Sequence, residues 1–82
     1  MANGRIYHEG PATVLLYVAD YGEYKVDGDA ISMLSGKNAT IAGVNGILNH
    51  DGNYYTFNYP KDGKLVVITT NDKSVIGDFI VA

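Results

Sequence analysis

The 82-residue sequence contains no cysteine and no tryptophan, and it has only two prolines. The absence of cysteine excludes disulfide bonds and thiolate zinc sites, which small domains often use to supplement a limited core. A chain of this length buries only about 60% of the surface that its unfolded form exposes, so its stability margin is small. A well-packed core or association with other subunits must therefore supply the stability.

The sequence also lacks a cluster of basic residues. Its formal charge is −3, from nine Asp and Glu residues against six Lys and Arg residues. These cations are spread singly along the chain, apart from Lys61 and Lys64, which flank one predicted turn. Nucleic-acid binding needs clustered cations that displace counterions from phosphates, so nucleic acid is not an expected partner.

No segment has the composition of a signal peptide or of a membrane span. Residues 1–10 contain a single strongly apolar branched residue, Ile6, and no apolar run approaches the length needed to cross a bilayer. We therefore expect a soluble protein that is made in the cytoplasm and has no membrane partner.

Turn dipeptides divide the chain at short intervals. Asp-Gly or Asn-Gly pairs occupy residues 27–28, 45–46, 51–52 and 62–63, and glycine supplies the positive φ of tight hairpin turns. The clearest predicted strands between them are Ala12–Ala19, Asn53–Tyr59, Leu65–Thr70 and Val75–Val81, and the weaker ones are Arg5–His8, Tyr21–Val26, Ala30–Leu34 and Ala39–Val44. The pattern predicts one all-β domain over residues 1–82, a small antiparallel β-barrel or sandwich of six to eight short strands. At most one helical turn is expected, within Ala30–Ser35.

The hairpin formed by Asn53–Tyr59 and Leu65–Thr70 is the best-defined local prediction. Pro60 is expected to end the first of these strands because it has no N–H to donate to the ladder. The turn that follows is predicted to place Gly63 at positive φ.

Three of the predicted strands are apolar on both faces. In Ala12–Ala19, Leu65–Thr70 and Val75–Val81, neighbouring residues that point to opposite faces are both apolar. Such runs indicate strands covered on both sides, and the short chain leaves little to supply the second cover. Ile76 and Ile80 share a face with Asp78, so this face is predicted to lie at an intersubunit contact. A tightly closed barrel capped by its own loops is the alternative explanation.

No residue pattern indicates a catalytic site. His50 falls in a predicted turn, His8 directly precedes a predicted loop, and no serine lies in a Gly-x-Ser-x-Gly motif. The two histidines, or Asp27 and Asp29, are left open as ligands of an ion, although the aspartates flank Gly28 in a pattern typical of a turn. We expect no enzyme activity and no cofactor.

Tyrosine is frequent, with seven residues in the chain. A tyrosine side chain presents apolar area and a polar hydroxyl, which suits surfaces that become buried on association, although tyrosine is also a good strand former. Three tyrosines surround the bend at Asp20–Gly22 and cannot all point into one core. The predicted protein-contact residues are Tyr17, Tyr21, Tyr24, Tyr54, Ile76 and Ile80.

In general composition the chain resembles small accessory virion proteins of tailed bacteriophages. The shared features are the opening Met1-Ala2-Asn3-Gly4, the lack of cysteine, the Gly, Asn and Asp turns, and strands rich in Thr and Val such as Leu65–Thr70. Such proteins decorate or cement a capsid, or join head and tail parts, through β-rich modules that form oligomers. The resemblance implies a structural protein of the virion that binds other protein subunits, as a homo-oligomer or on a capsid protein. The alternatives are a small acidic inhibitor or regulator of a host enzyme and a small-molecule-binding β-barrel.

The charge distribution leads to a prediction about nucleic acid. The protein should not bind DNA or RNA in a salt-dependent manner, because scattered cations and a net negative charge do not attract phosphate. Fluorescence anisotropy with labelled single-stranded and duplex oligonucleotides, titrated at increasing salt, tests this. Tight binding at physiological salt that weakens steeply as the salt rises would contradict it.

Overall fold

The structure, a computed structural model, describes residues 2–80, with Ala2 described by its backbone alone. Six β-strands, a short α-helix and a 3₁₀ helix make up the described chain. The strands are β1 (Ala2–Glu9), β2 (Ala12–Ala19), β3 (Lys37–Ile41), β4 (Val44–Asp51), β5 (Tyr54–Lys61) and β6 (Lys64–Thr70). The α-helix, α1, is Gly28–Ile31, and the 3₁₀ helix is Lys73–Phe79.

All six strands belong to one antiparallel sheet, in the order β1-β2-β6-β5-β4-β3. β3 to β6 form a meander, β1 and β2 form a hairpin, and the pairing of β2 with β6 joins the two parts. β1 and β3 are therefore the edge strands. The prediction of an all-β fold of six to eight antiparallel strands is confirmed, with six strands in a sheet that is open rather than closed into a barrel.

The turn between β5 and β6 follows the sequence prediction. Lys61 lies opposite Lys64, so Asp62 and Gly63 form a two-residue turn. Gly63 has a φ of 77°, which confirms the predicted positive value. Asp62 also has a positive φ, 54°, as both central residues of a type I′ hairpin turn require.

The predicted turn at Asn45-Gly46 is wrong, because both residues lie within β4. The chain turns instead at Ala42–Gly43, where φ is 50° and 80°. Gly46 is needed for packing rather than for a turn. A Cβ at this position would press on the carbonyl oxygen of Asn58 and lie 2.8 Å from the ring atom Cζ of Phe57.

The weaker strand predictions also differ from the structure. Ala39–Val44 is divided between β3 and β4, and Tyr21–Val26 forms turns and bends instead of a strand. Ala30–Leu34 overlaps α1, which begins at Gly28 because Asp27 caps it. The Asp27 carboxylate accepts the N–H of Ala30 at 2.9 Å, a common way to satisfy a free helix donor.

Pro60 does not end β5, contrary to the prediction. β5 continues to Lys61, and Pro60 lies opposite Leu65 of β6. The pairing of β5 with β4 stops at Asn58, so at Pro60 there is no β4 partner that needs an N–H donor.

The main core lies on one side of the sheet, which we call the covered face. The buried strand residues of this core are Ala12, Val14, Phe57, Tyr59, Val66 and Ile68. The 3₁₀ helix lies over them and adds Val75 and Ile76 to the same cluster. Thr70, also buried on this face, accepts the N–H of Asp72 through Oγ1 at 3.2 Å, directly before the helix begins.

This 3₁₀ helix replaces the predicted strand Val75–Val81, of which Val81 lies outside the described residues. Asp72 caps the helix, because its carboxylate accepts the N–H of Ser74 at 3.0 Å and the hydroxyl of Ser74 at 2.7 Å. Both bonds favour the ionised carboxylate and lower the pKa of Asp72 below its usual value.

The helix also overturns the predicted outward face. Helical geometry lets the consecutive residues Val75 and Ile76 both point toward the sheet, whereas a strand would send them to opposite faces. Ile76 is completely buried, and Ile80 is half-buried against the same cluster. The fold itself therefore covers both isoleucines, and neither supports an intersubunit contact.

The other side of the sheet, which we call the open face, is only partly covered. Near α1, Val26 and Ile31 are buried with Ile47 of β4, and Val67 of β6 is buried on the same face. Toward β1 and β2 this face carries Ile6 directly opposite Leu15, and their side chains are 67% and 38% exposed. The sheet thus has one apolar face with a helical cover and one that is partly uncovered.

The burial of Ile76 leads to a prediction about stability. Ile76→Ala should lower the free energy of unfolding by about 2–5 kcal/mol, through lost apolar burial and a cavity above the sheet. Met33→Ala is the control, because Met33 is 88% exposed and its truncation should change stability by less than about 0.5 kcal/mol. Urea denaturation measures both. Equal effects of the two substitutions would show that Ile76 is not a core residue.

Candidate functional site

Two predicted contact residues, Tyr21 and Tyr24, form an exposed aromatic pair beside α1. Their rings meet edge to face with centroids 6.4 Å apart. Between the pair and α1 lies a small cleft of about 160 Å³, whose lining includes Leu34 and Leu65. This arrangement presents apolar area with two hydroxyl groups, as protein-contact surfaces commonly do.

The other predicted contact residues are divided between the two faces of the sheet. Tyr54, at the start of β5, is exposed on the open face, and Tyr17 of β2 is half-buried on the same face opposite Gly4. Ile76 and Ile80 lie on the covered face, away from these tyrosines. The structure therefore leaves the four tyrosines, but not the two isoleucines, as a candidate surface.

Sequence reasoning missed several exposed apolar residues, of which Ile6 and Leu15 lie on the open face. Ile6, Leu15, Met33 and Leu34 are all exposed. The signal for Leu15 was present, because β2 is apolar on both faces and only one face can join the core. Ile6 gave no such signal, since the sequence around an isolated apolar residue in a short polar strand does not show whether its side chain is buried.

A groove of about 470 Å³ runs between α1 and the β3–β4 hairpin. Its polar lining includes Asn38, Thr40 and Asn45, and Thr40 donates its hydroxyl hydrogen to Oδ1 of Asn45 at 2.6 Å. Ile31 and Ile47 supply apolar surface. No charged side chain of residues 3–80 lines the groove, so it offers amide, hydroxyl and apolar contacts to a small neutral molecule.

A weakly basic corner lies on the covered face beyond the core. His50, which was predicted to lie in a turn, belongs to β4 and stacks on Tyr55 with ring centroids 4.1 Å apart. The ammonium group of Lys73 is 6.0 Å from the centre of the Tyr55 ring, and Lys37 lines the same open depression. Both lysines and His50 are exposed to solvent.

The ion ligands considered from the sequence do not converge. His8 lies on β1 and His50 on β4, with three strands between them in the sheet. Asp27 is engaged as the cap of α1. Across residues 2–80, no group of three or more His, Asp and Glu side chains is placed to hold a metal ion. In the same part of the chain, neither helix has the length and apolar character needed to cross a membrane.

Acidic side chains meet where the end of β1 approaches the 3₁₀ helix. A hydrogen bond to Asp78 raises the pKa of the Glu9 carboxyl above its usual 4.5, and burial and the negative charges of Asp78 and Asp72 act in the same direction. Nearby, the rings of Tyr7 and Phe79 are in contact, with centroids 5.3 Å apart. β1 is thus attached to the helix by one aromatic contact and one carboxyl pair.

Comparison of the chain with protein-family models, with curated proteins and with solved structures gave no match. Function is therefore inferred from the geometry of this chain.

The carboxyl pair leads to a prediction about pH. The folded state favours protonated Glu9, so its stabilising contribution is present below about pH 4.5 and is lost as the pH rises through the raised pKa of Glu9. Glu9→Gln should therefore gain stability relative to the wild type as the pH rises through this range. Thermal unfolding across the acidic pH range measures the difference.

Glu23→Gln provides the control, because it removes the same charge from an exposed glutamate. If both substitutions change the melting temperature in parallel at every pH, the Glu9–Asp78 pair has no effect on stability.

Proposed function

We propose that this protein is a non-enzymatic structural protein that works by binding other protein subunits in a larger assembly. The observation that carries this proposal is the open face, where Ile6, Leu15 and Tyr17 lie on a sheet whose opposite face already holds the core. Contiguous exposed apolar patches on small proteins commonly mark interaction surfaces. Tyr21 and Tyr24 are also exposed, and tyrosine is one of the residues enriched at protein interfaces.

The open sheet adds a second means of binding protein. In the described part of the chain, β1 and β3 each pair with a strand on one side only, so their outer edges can pair with a strand of another subunit. A closed barrel would offer no such edges.

The setting we propose is the virion of a tailed bacteriophage, with the protein as a capsid decoration or connector subunit. The cysteine-free composition, the frequent Asp-Gly and Asn-Gly pairs and the small β-module support this setting through their resemblance to such proteins. Its partners would be further copies of itself, a capsid protein, or both.

A second candidate is a small-molecule-binding module. The groove of about 470 Å³ beside α1 favours it, because ligand sites commonly have volumes in the range of about 300–1,000 Å³. The assembly role remains our first proposal, because the exposed Ile6, Leu15 and Tyr54 lie on the open face and outside this groove.

Size-exclusion chromatography with light scattering tests the assembly role. Wild-type protein should form a discrete oligomer over a wide range of concentration, and Leu15→Ser should weaken it by removing apolar area from the open face. Met33→Ser is the matched control, an equally simple loss of an exposed apolar side chain that lies outside the sheet. A monomer at every concentration would contradict assembly through copies of this chain and favour an inhibitor that binds a single target enzyme.

A further inference from the structure

Edge strand β1 carries a positive charge, Arg5, two residues before Tyr7 and a negative charge, Glu9, two residues after it. Arg5 and Glu9 are each two residues from Tyr7, so all three side chains point to the same side of the sheet. Their register with β2 places them on the covered-face side, with Tyr7 opposite the buried Val14.

The backbone of β1 is available for a further strand. Within residues 2–80, β1 pairs only with β2, and residues 3–9 are all exposed. Glu9 lies opposite Ala12 across a two-residue turn, so Glu9 and alternate residues before it direct their N–H and C=O groups toward β2. Ile6 and His8 therefore direct theirs outward, where a second antiparallel strand can pair with them.

We infer that two copies of this chain associate through β1, in an antiparallel pairing that places Tyr7 on the two-fold axis. Arg5 of each copy then lies opposite Glu9 of the other, and the two sheets continue into one another. The inference rests on the proposed function and specifies the contact through which the first two subunits join.

The charges of Arg5 and Glu9 favour this register over the two registers whose axis lies one residue away. With the axis at Tyr7, the contact contains the Arg5–Glu9 pair twice, and side chains directly opposite each other in antiparallel strands are close enough to interact. An axis at Ile6 places Arg5 opposite Tyr7, and an axis at His8 places Glu9 opposite Tyr7. Neither alternative pairs opposite charges.

The negative charges around Glu9 favour the approach of a positively charged side chain. Within one copy, the charges that act on Glu9 come from Asp78 and Asp72, and both are negative. Arg5 of a second copy would bring a positive charge to this carboxyl pair. Tyr7 is already held by its contact with Phe79, so the side chain on the axis loses little freedom on association.

The same register also buries apolar surface on the open face. Ile6, which is 67% exposed, lies opposite His8 of the second copy. The new ladder ends at Glu9, because Gly10, with a φ of 58°, already lies in the turn between β1 and β2.

Charge exchange at the two positions tests the inference. Arg5→Glu and Glu9→Arg should each weaken dimerisation by roughly tenfold or more in sedimentation velocity experiments, because like charges then lie opposite each other. Combining both substitutions in one chain should restore the dimer. Lys37→Glu is the control, since it reverses a charge on the opposite edge strand, β3, and should leave the dimer unchanged.

Mixing the two single variants shows whether weaker dimerisation comes from the loss of the Arg5–Glu9 pair or from misfolding of the variants. Each variant alone carries like charges at positions 5 and 9, but a heterodimer of the two pairs opposite charges at both contacts. The mixture should therefore dimerise more tightly than either variant alone, while circular dichroism should show both variants folded.

The outcomes distinguish this inference from the proposed function. If the wild type forms an oligomer that Arg5→Glu leaves intact, the β1 contact is wrong and the assembly role stands. If the mixture and the double variant both stay monomeric, the Arg5–Glu9 register is wrong. A wild type that is monomeric at all concentrations overturns this inference and the self-association on which it rests.

Discussion

Most of this structure depends on covering a single apolar sheet face with one short helix. Phe57, Tyr59 and Ile68 occupy the centre of that face, and each is almost completely removed from solvent. The cover comes from Val75 and Ile76 of a 3₁₀ helix that Asp72 caps. A 3₁₀ helix has poorer hydrogen-bond geometry than an α-helix, so its packing on the sheet must hold it in place. Sheet and helix are therefore mutually dependent.

Sequence reasoning predicted the fold class because strand and turn signals are local. Gly63 lies in the predicted turn, since an Asp-Gly pair between two apolar strands has few other uses. Gly46 shows the limit of that reasoning, because an Asn-Gly pair in the sequence does not reveal that the ring of Phe57 needs the space. The helical residues Val75 and Ile76 could not be identified either, since a short apolar run fits a buried strand equally well.

The candidate surface was predictable only in part, for a related reason. Tyr21 and Tyr24 stood out because they surround a bend, and both are exposed. The edge position of β1 could not be read from its own sequence. It follows from the pairing of β2 with β6, which joins residues far apart in the chain. Local patterns therefore indicated which side chains suit a contact, and the long-range pairing determined which strand is available to make one.

The pairing of β2 with β6 also has a consequence for the folding rate. The other strand pairs form between sequence neighbours, so each can close rapidly over a short loop. β2 and β6 must meet across the entire α1 region and three intervening strands, and closing this loop costs entropy before the central core contacts form. The N-terminal hairpin should therefore dock last onto the preformed meander, and the speed of that docking should limit how fast the whole chain folds.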